Sequence, residues 1–144
     1  MRYLAVDYGT KRTGLAVCDA RETIASPLTV VQGCKDLIGR IRQIVAAEEI
    51  GAVVVGLPLN MDGTEGPQAK LVLAFARELG RQVLVPIHLQ DERLSSFEAE
   101  QKLDEIGLTR GKKRERLDAL AAADILQTFL DRRNLNAGGE TGVL

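Results

Sequence analysis

The sequence predicts an α/β fold in which helices cover both faces of a mixed five-stranded sheet. Three apolar runs separated only by short turns come first, which indicates three antiparallel strands. Helical and strand patterns then alternate, so the later strands follow right-handed crossovers and run parallel to the first. The length of 144 residues fits one domain, which we place at residues 1–133, followed by a flexible tail at 134–144.

The first half of the chain carries four predicted strands and one helix. The three opening strands are predicted at residues 3–7, 15–19 and 23–31. Pro27 in the third strand lacks a backbone donor, which favours a sheet edge or a bulge. Apolar residues recur with helical spacing over 35–50, and Gly51 ends that helix. The continuous apolar run at 52–56 is typical of a strand covered on both faces.

The second half begins with a loop at 57–66 that is rich in proline, asparagine, aspartate and glycine. A helix follows at 67–79, and the next strand, at 82–90, contains Pro86 and is therefore predicted at an edge. Two further helices, at 95–106 and at about 115–132, are joined by a basic connector at 107–116.

Composition excludes several classes of function. The net charge is −1, so any nucleic-acid binding depends on a local basic patch. Aromatic residues make up only 3% of the chain, which argues against a stacking platform for single-stranded bases. Cys18 and Cys34 have no C-x-x-C spacing, so neither a zinc site nor a disulfide scaffold is expected. The sequence shows no signal peptide and no apolar run long enough to span a membrane, which predicts a cytoplasmic protein.

Asp7 is the most informative residue because it ends a buried strand. A carboxylate there requires a cation or a hydrogen-bond donor. The turn from Gly9 to Gly14 follows and carries Lys11 and Arg12, so a metal ion and a phosphate group are expected to meet at this strand end. The alternative is an ordinary turn-initiating aspartate in a hairpin. The turn does not match a nucleotide-binding P-loop, because Leu15 and a strand follow it.

Three more acidic residues are candidates for the same site. Asp91 and Glu92 close the last predicted strand, and at most one can face Asp7 because neighbouring strand residues point to opposite faces. Asp118 shares a helical stripe with Ala122 and later apolar residues, which places a carboxylate on a core-facing surface. The alternatives are a polar strand end for the pair and a first-turn acid that complements the helix dipole for Asp118.

Carboxylates from three elements suit Mg²⁺ or Mn²⁺, and two such ions can activate water and stabilise the leaving oxygen of a phosphodiester. The connector beside Asp118 is predicted to grip phosphates through Lys112, Lys113 and Arg114, with Lys11 and Arg12 extending the patch. The alternative for a charge run is a solvated surface. His88, in mid-strand, is predicted to be structural.

Four segments resemble the YqgF (RuvX) family: Val6 to Val17, Val54 to Thr64, Asp91 to Ser96 and Leu117 to Ala122. They come in the family's order, and the similarity covers about residues 2–132. The resemblance implies an RNase H-like fold and a nuclease linked to maturation of the 5′ end of pre-16S ribosomal RNA. The family was earlier described as Holliday junction resolvases by fold analogy.

The family's acidic positions carry over as Asp7, the Asp91–Glu92 pair and Asp118. Unlike related resolvases, the strand at 52–56 is followed by no acid, so the second carboxylate comes from Asp91 or Glu92. We predict Asp7, Glu92 and Asp118 as metal ligands. The predicted substrate-binding residues are Lys11, Arg12, Asn60, Arg93, Lys112, Lys113 and Arg114.

Three alternatives to an RNA nuclease stay open. A resolvase acting on DNA junctions needs two sites in a symmetric dimer. A non-catalytic RNA-binding factor of the pre-ribosome would keep the fold without the metal. A sugar- or acetate-kinase-like ATPase would use the Asp7–Thr10 turn for phosphate, but it needs two such domains around a cleft. We expect a monomer or weak dimer without a membrane partner.

Overall fold

The computed structural model describes residues 1–94 and 110–139, with backbone alone at 110–115 and 136–139. The strands are β1 (Arg2–Asp7), β2 (Arg12–Cys18), β3 (Ala25–Gln32), β4 (Ile50–Leu57) and β5 (Ile87–Asp91). The helices are α1 (Leu37–Ala47), α2 (Pro67–Gln82) and α3 (Arg110–Gly139). A single 3₁₀ turn, Glu92–Leu94, follows β5 directly.

The five strands form one sheet in the order β3-β2-β1-β4-β5. β2 pairs antiparallel with β1 and with β3, whereas β4 pairs parallel with β1 and with β5. This arrangement confirms the predicted mixed sheet and places both proline-marked strands at its edges. β1 is the central strand, so its carboxyl end lies between β2 and β4.

Each face of the sheet has its own apolar core. Leu4, Val6, Val53 and Val55 point toward α1 and α2. Tyr3, Ala5, Ala16, Ala52 and Val54 point toward α3, where they meet Ala122, Ile125 and Leu126. Helices therefore cover both faces, as predicted.

Two amide side chains in the C-terminal half of α3 form hydrogen bonds with the β2–β3 turn and the start of β3. Gln127 accepts a hydrogen bond from the Ala25 backbone N–H at 2.9 Å and donates to the Thr23 carbonyl at 2.9 Å. Asn134 donates to the Glu22 carbonyl at 3.1 Å. These bonds set the position of α3 across the sheet, and hence the position of its first turns near β1.

Two element boundaries differ from the prediction for identifiable reasons. β5 begins after Pro86, whose carbonyl accepts a hydrogen bond from the Val53 N–H at 2.9 Å. The prediction of a connector up to residue 116 is wrong, because α3 begins at Arg110 and runs to Gly139. One glycine lowers helix propensity by only about 1 kcal/mol, which a helix packed along its length tolerates.

The predicted helix at 95–106 lies outside the described residues. Within residues 1–94 and 110–139, no helix has the length and apolar character needed to cross a bilayer.

Candidate active site

Asp7 ends the central strand on the face that α3 covers. Ala5, two residues earlier, packs in the α3-side core, and strand alternation puts Asp7 on the same side. Its side chain is partly buried. Burial, then the negative charges of Glu92 and Asp118, raise the pKa of Asp7 from 3.8 to about 7. No hydrogen bond or ion pair from the described residues compensates its charge.

Gly14 brings α3 against the sheet beside Asp7. Gly14 pairs directly with Asp7 across β1 and β2. A β-carbon at this position would collide with the backbone carbonyl of Asp118. Because Gly14 has no side chain, the third turn of α3 packs directly on β2. This contact places the Asp118 carboxylate close enough to raise the pKa of Asp7.

Gly56 plays the matching part on the other side of Asp7. Val6 pairs with Val55, so Gly56 is the β4 neighbour of Asp7. A β-carbon on Gly56 would lie 2.6 Å from Ile125 Cδ1 and 3.1 Å from Glu92 Cγ. Glu92 thus occupies the space above Gly56 and points toward Asp7. Burial, then the charge of Asp91, raises the pKa of Glu92.

The structure separates the two adjacent acids that the sequence left as alternatives. Asp91 is held by Arg93, which donates to both carboxylate oxygens at distances between 2.6 and 3.1 Å. Hydrogen bonding to Arg93 lowers the pKa of Asp91. Asp91 does not contribute to the raised pKa of Asp7, whereas Glu92 does. Of these two acids, Glu92, at the start of the 3₁₀ turn after β5, is therefore the one whose charge acts on Asp7.

Asp118 has a cationic partner, whereas Asp7 and Glu92 have none among the described side chains. Arg12 Nε donates to Asp118 Oδ2 at 2.6 Å, and the two side chains are 28% and 26% exposed. The sequence predicted Arg12 as a phosphate ligand, but the structure places it on a carboxylate of the site. The ion pair joins the start of β2 to the third turn of α3.

The carboxylate chemistry of the three acids suits a divalent cation, whereas their arrangement among the described residues does not form a metal site. Carboxylate oxygens are the ligands that Mg²⁺ and Mn²⁺ prefer. Burial, then neighbouring negative charges, raises the pKa of both Asp7 and Glu92, and a bound cation would oppose both effects. Within residues 1–94 and 110–139, however, no three histidine, cysteine, aspartate or glutamate side chains are arranged to hold a metal ion.

A cleft of about 290 Å³ opens beside the acids. It is lined by the hairpin from Asp7 to Arg12, together with Gln68 and Asp118. Lys11 is exposed at its rim. The structure therefore brings Asp7, Lys11, Arg12 and Asp118 to one cavity, with space for a phosphate group next to the carboxylates.

Two residues predicted to bind substrate make hydrogen bonds in the loop after β4. Asn60 donates from Nδ2 to Thr64 Oγ1 at 2.9 Å, which closes the turn after β4. Arg93 donates from Nη1 to the Met61 carbonyl at 3.1 Å while its other nitrogens bind Asp91. Both residues lie at the same end of the sheet as Asp7, but their polar groups are used within the protein.

Some predicted residues lie elsewhere or are not described. The side chains of Lys112, Lys113 and Arg114 lie outside the described residues, although their backbone belongs to α3. His88 packs against the ring of Phe129 at 5.4 Å and that of Tyr3 at 6.3 Å. Burial, then the charge of Arg133, lowers its pKa, which agrees with a structural role.

Sequence reasoning missed the two glycines and a buried amide. Gly14 and Gly56 lie within quoted motifs, but only the third dimension shows what approaches them. Gln90 pairs with Gly56, is 7% exposed, and makes no side-chain hydrogen bond in the described part of the chain. The position of Gln90 directly before Asp91 was the one signal available in the sequence.

Comparisons with a family model and with related sequences agree on one family. The model described as "RuvX: Holliday junction resolvase" matches residues 1–132. A relative from Anaeromyxobacter sp. is 48% identical over 136 residues, covering 93% of this chain and 99% of that protein. A relative from Maridesulfovibrio salexigens is 42% identical, covering 92% and 99%. Both carry the name "Putative pre-16S rRNA nuclease".

Solved structures support the fold. RuvC from T. thermophilus, in complex with a Holliday junction substrate, aligns with a TM-score of 0.54 at 18% identity, covering 93% of this chain and 96% of that one. The fowlpox virus Holliday junction resolvase aligns with a TM-score of 0.53 at 13% identity, covering 92% and 99%. These similarities confirm the predicted RNase H-like architecture.

Proposed function

The chain belongs to the RuvX family, and on that premise we propose that it is a divalent-metal-dependent nuclease that cleaves phosphodiester bonds in precursor 16S rRNA. Its family makes it a phosphodiester-hydrolysing enzyme. The metal, the substrate and the residue roles are proposals. Two relatives named for pre-16S rRNA support the choice of RNA. A ribosomal substrate in bacteria also implies a cytoplasmic location.

The observation that carries this proposal is Asp7, a buried acid with two further acids beside it. Burial and like charges raise its pKa to about 7, which is an unfavourable arrangement unless a cation arrives. We assign Asp7, Glu92 and Asp118 as the residues that hold Mg²⁺ or Mn²⁺. When bound, such ions lower the pKa of water and stabilise the leaving oxygen of a phosphodiester.

The protein's own residues position the substrate. Lys11, which is exposed, offers a positive charge to a phosphate in the hairpin cleft, and Gln68 lines the same cleft. From the sequence, Lys112, Lys113 and Arg114 extend this basic surface. Changing these three residues together to alanine is expected to weaken RNA binding equally for unrelated sequences, and to flatten its salt dependence by up to about three units.

A DNA-junction resolvase is the second candidate, because the family model is described by that activity. A junction has two strands to cut symmetrically, so this function requires two copies of the site in a twofold dimer. The mass of the protein in solution, alone and with a four-way junction, distinguishes the two candidates.

The direct test compares labelled precursor 16S rRNA and a four-way DNA junction in the same reactions, with Mg²⁺, with Mn²⁺ and with EDTA. We expect cleavage of the RNA only with metal and none by Asp7→Asn. Preferential cleavage of the junction would support the resolvase. Tight RNA binding without cleavage under any condition would identify a non-catalytic assembly factor.

A further inference from the structure

The three acids differ in what compensates their charge. Arg12 Nε lies 2.6 Å from Asp118 Oδ2, and the two residues are 106 positions apart in the sequence. Asp7 and Glu92 receive no hydrogen bond or ion pair from the described residues, and both have a raised pKa. One cation is therefore already present in the site, and it is placed on one acid.

This cation lies on an acid that we assign to the metal site. Asp118 is close enough to raise the pKa of Asp7, yet within the described residues no three acids are arranged to hold a metal ion. One of the two Asp118 oxygens, Oδ2, is bound by the guanidinium. A guanidinium and a divalent cation repel each other, so Arg12 at its present position weakens the binding of a metal ion to Asp118.

We propose that Arg12 acts as an internal cation, which holds Asp118 in the metal-free protein and leaves it when a divalent ion binds. The inference rests on the proposed metal-dependent function. When all three carboxylates are ionised, one guanidinium leaves two negative charges uncompensated. Exchange of the guanidinium for a divalent ion compensates more of the charge, so it is favourable at sufficient metal concentration.

The released guanidinium has a place to go. Arg12 lines the same 290 Å³ cleft as Lys11 and Thr10. A guanidinium in that cleft can bind a phosphate through two parallel hydrogen bonds. Metal binding thereby prepares the site for substrate, and the two ligands bind cooperatively because one event releases the residue that the other needs.

A permanent clamp is the competing arrangement. Arg12 would then keep Asp118 Oδ2 while Asp118 lends its other oxygen to the metal. The ion pair would orient the ligand, and loss of Arg12 would weaken metal binding. The two arrangements therefore predict opposite changes in metal affinity.

The test measures Mn²⁺ binding to the full chain without nucleic acid, by calorimetry and by the spin-resonance signal of free Mn²⁺. Wild type is compared with Arg12→Gln and with Lys11→Gln, which removes the same charge from the same cleft without breaking an ion pair among the described residues. Arg12→Gln is expected to bind Mn²⁺ about tenfold or more tightly than wild type, the scale of one charge-assisted hydrogen bond. Lys11→Gln is expected to change affinity by no more than about threefold, as an exposed and screened charge.

The same substitutions in an Asp118→Asn background complete a double-mutant cycle. There the gain from Arg12→Gln should fall to that of Lys11→Gln. A second readout is RNA affinity with and without Ca²⁺. Divalent ion should strengthen RNA binding by wild type and Lys11→Gln more than by Arg12→Gln, which has no guanidinium to release.

Equal or weaker Mn²⁺ binding by Arg12→Gln, with a lower melting temperature, would overturn the inference in favour of the permanent clamp and leave the nuclease intact. Absence of Mn²⁺ binding by both wild type and Arg12→Gln would overturn the inference together with the proposed metal dependence. Binding by Arg12→Gln alone would support the internal cation and show how strongly it excludes metal.

Discussion

The face of the sheet that packs against α1 and α2 is lined by branched aliphatic side chains, whereas the face that packs against α3 carries several alanines beside Tyr3 and Val54. Leu4, Val6 and Val55 fill the first, and Ala5, Ala16 and Ala52 lie on the second. Large side chains keep the helix backbones at a distance. Small ones let α3 approach the sheet closely.

The close approach is greatest at the carboxyl end of β1. There Gly14 and Gly56 lie on either side of Asp7, and each would contact a neighbour if it carried a β-carbon. The same glycines that remove apolar packing bring two acids to a third. The α1–α2 face thus contributes mainly apolar packing. The α3 face has less apolar packing at this end of the sheet and brings acidic side chains together there.

The largest effect is expected from Asp7→Asn, which removes the central acid and keeps its shape. Cleavage should fall by about a thousandfold or more, equivalent to about 4 kcal/mol of barrier. The measurement is single-turnover cleavage of precursor rRNA at saturating Mg²⁺, with circular dichroism to confirm the fold. Near-normal cleavage by a preparation free of wild-type enzyme would remove Asp7 from the mechanism.

Asp7 also predicts how stability depends on pH without metal. Its folded-state pKa, about 7, lies above the value of 3.8 expected when unfolded. The folded state therefore binds its proton more tightly, and stability falls as pH rises from about 4 to about 7. With about 1.4 kcal/mol per pKa unit, the loss reaches up to about 4 kcal/mol.

Urea unfolding at pH 4 to 8 in EDTA tests this dependence. Asp7→Asn should equal wild type at pH 4 and exceed it at pH 8. A divalent ion should restore wild-type stability at pH 8 and leave Asp7→Asn little changed. Parallel pH curves for the two proteins would contradict the raised pKa.

Gly14→Ala should disturb the α3 face next most strongly. The new β-carbon meets the backbone carbonyl of Asp118, which cannot rotate away. The expected loss is about 3 kcal/mol of unfolding free energy. Because α3 must shift, cleavage should fall by about a hundredfold even where the protein is folded.

Gly80→Ala is the matched control on the α1–α2 side. Its β-carbon would make only an ordinary contact, 3.6 Å from Ile87 Cγ1. This helical substitution is expected to stabilise by about 0.4–1 kcal/mol and to leave cleavage unchanged. Equal behaviour of the two variants would show that the faces do not differ in the way described.

Of the two glycines beside Asp7, Gly56 should be the more tolerant of alanine. Its β-carbon would lie 2.6 Å from Ile125 Cδ1 and 3.1 Å from Glu92 Cγ, so both side chains must shift, whereas the backbone can stay in place. We expect about 1 kcal/mol of destabilisation and about a tenfold loss of cleavage through displaced Glu92. Thermal unfolding and cleavage rates measured side by side would contradict this account if activity stayed at the wild-type level.

Much of the fold could be predicted from the sequence because local patterns carry it. The apolar runs around Val6 and Val54 and the helical spacing near Ile41 locate strands and helix to within a few residues. The order of these elements leaves few topologies for the sheet. The start of α3 was missed because a charged, glycine-containing stretch gives no apolar stripe to read. The boundary between domain and tail at residue 133 stays a prediction.

The candidate site divides in the same way. Asp7 and Asp118 are visible in the sequence as carboxylates in apolar surroundings, and the family motifs name both. The choice of Glu92 over Asp91 depends on the tertiary structure, because Arg93 binds Asp91 and because Gly56, which has no side chain, leaves room for Glu92.

The pairing of Arg12 with Asp118 depends wholly on the tertiary structure. Periodicity and turn chemistry act over a few residues, so the sequence by itself determined the elements and the acids at their ends. Contacts between residues 106 positions apart depend on how closely α3 packs against β2. Only the folded chain decided which acid faces Asp7 and which one already holds a cation, because both follow from backbone approach at two glycines far apart in sequence.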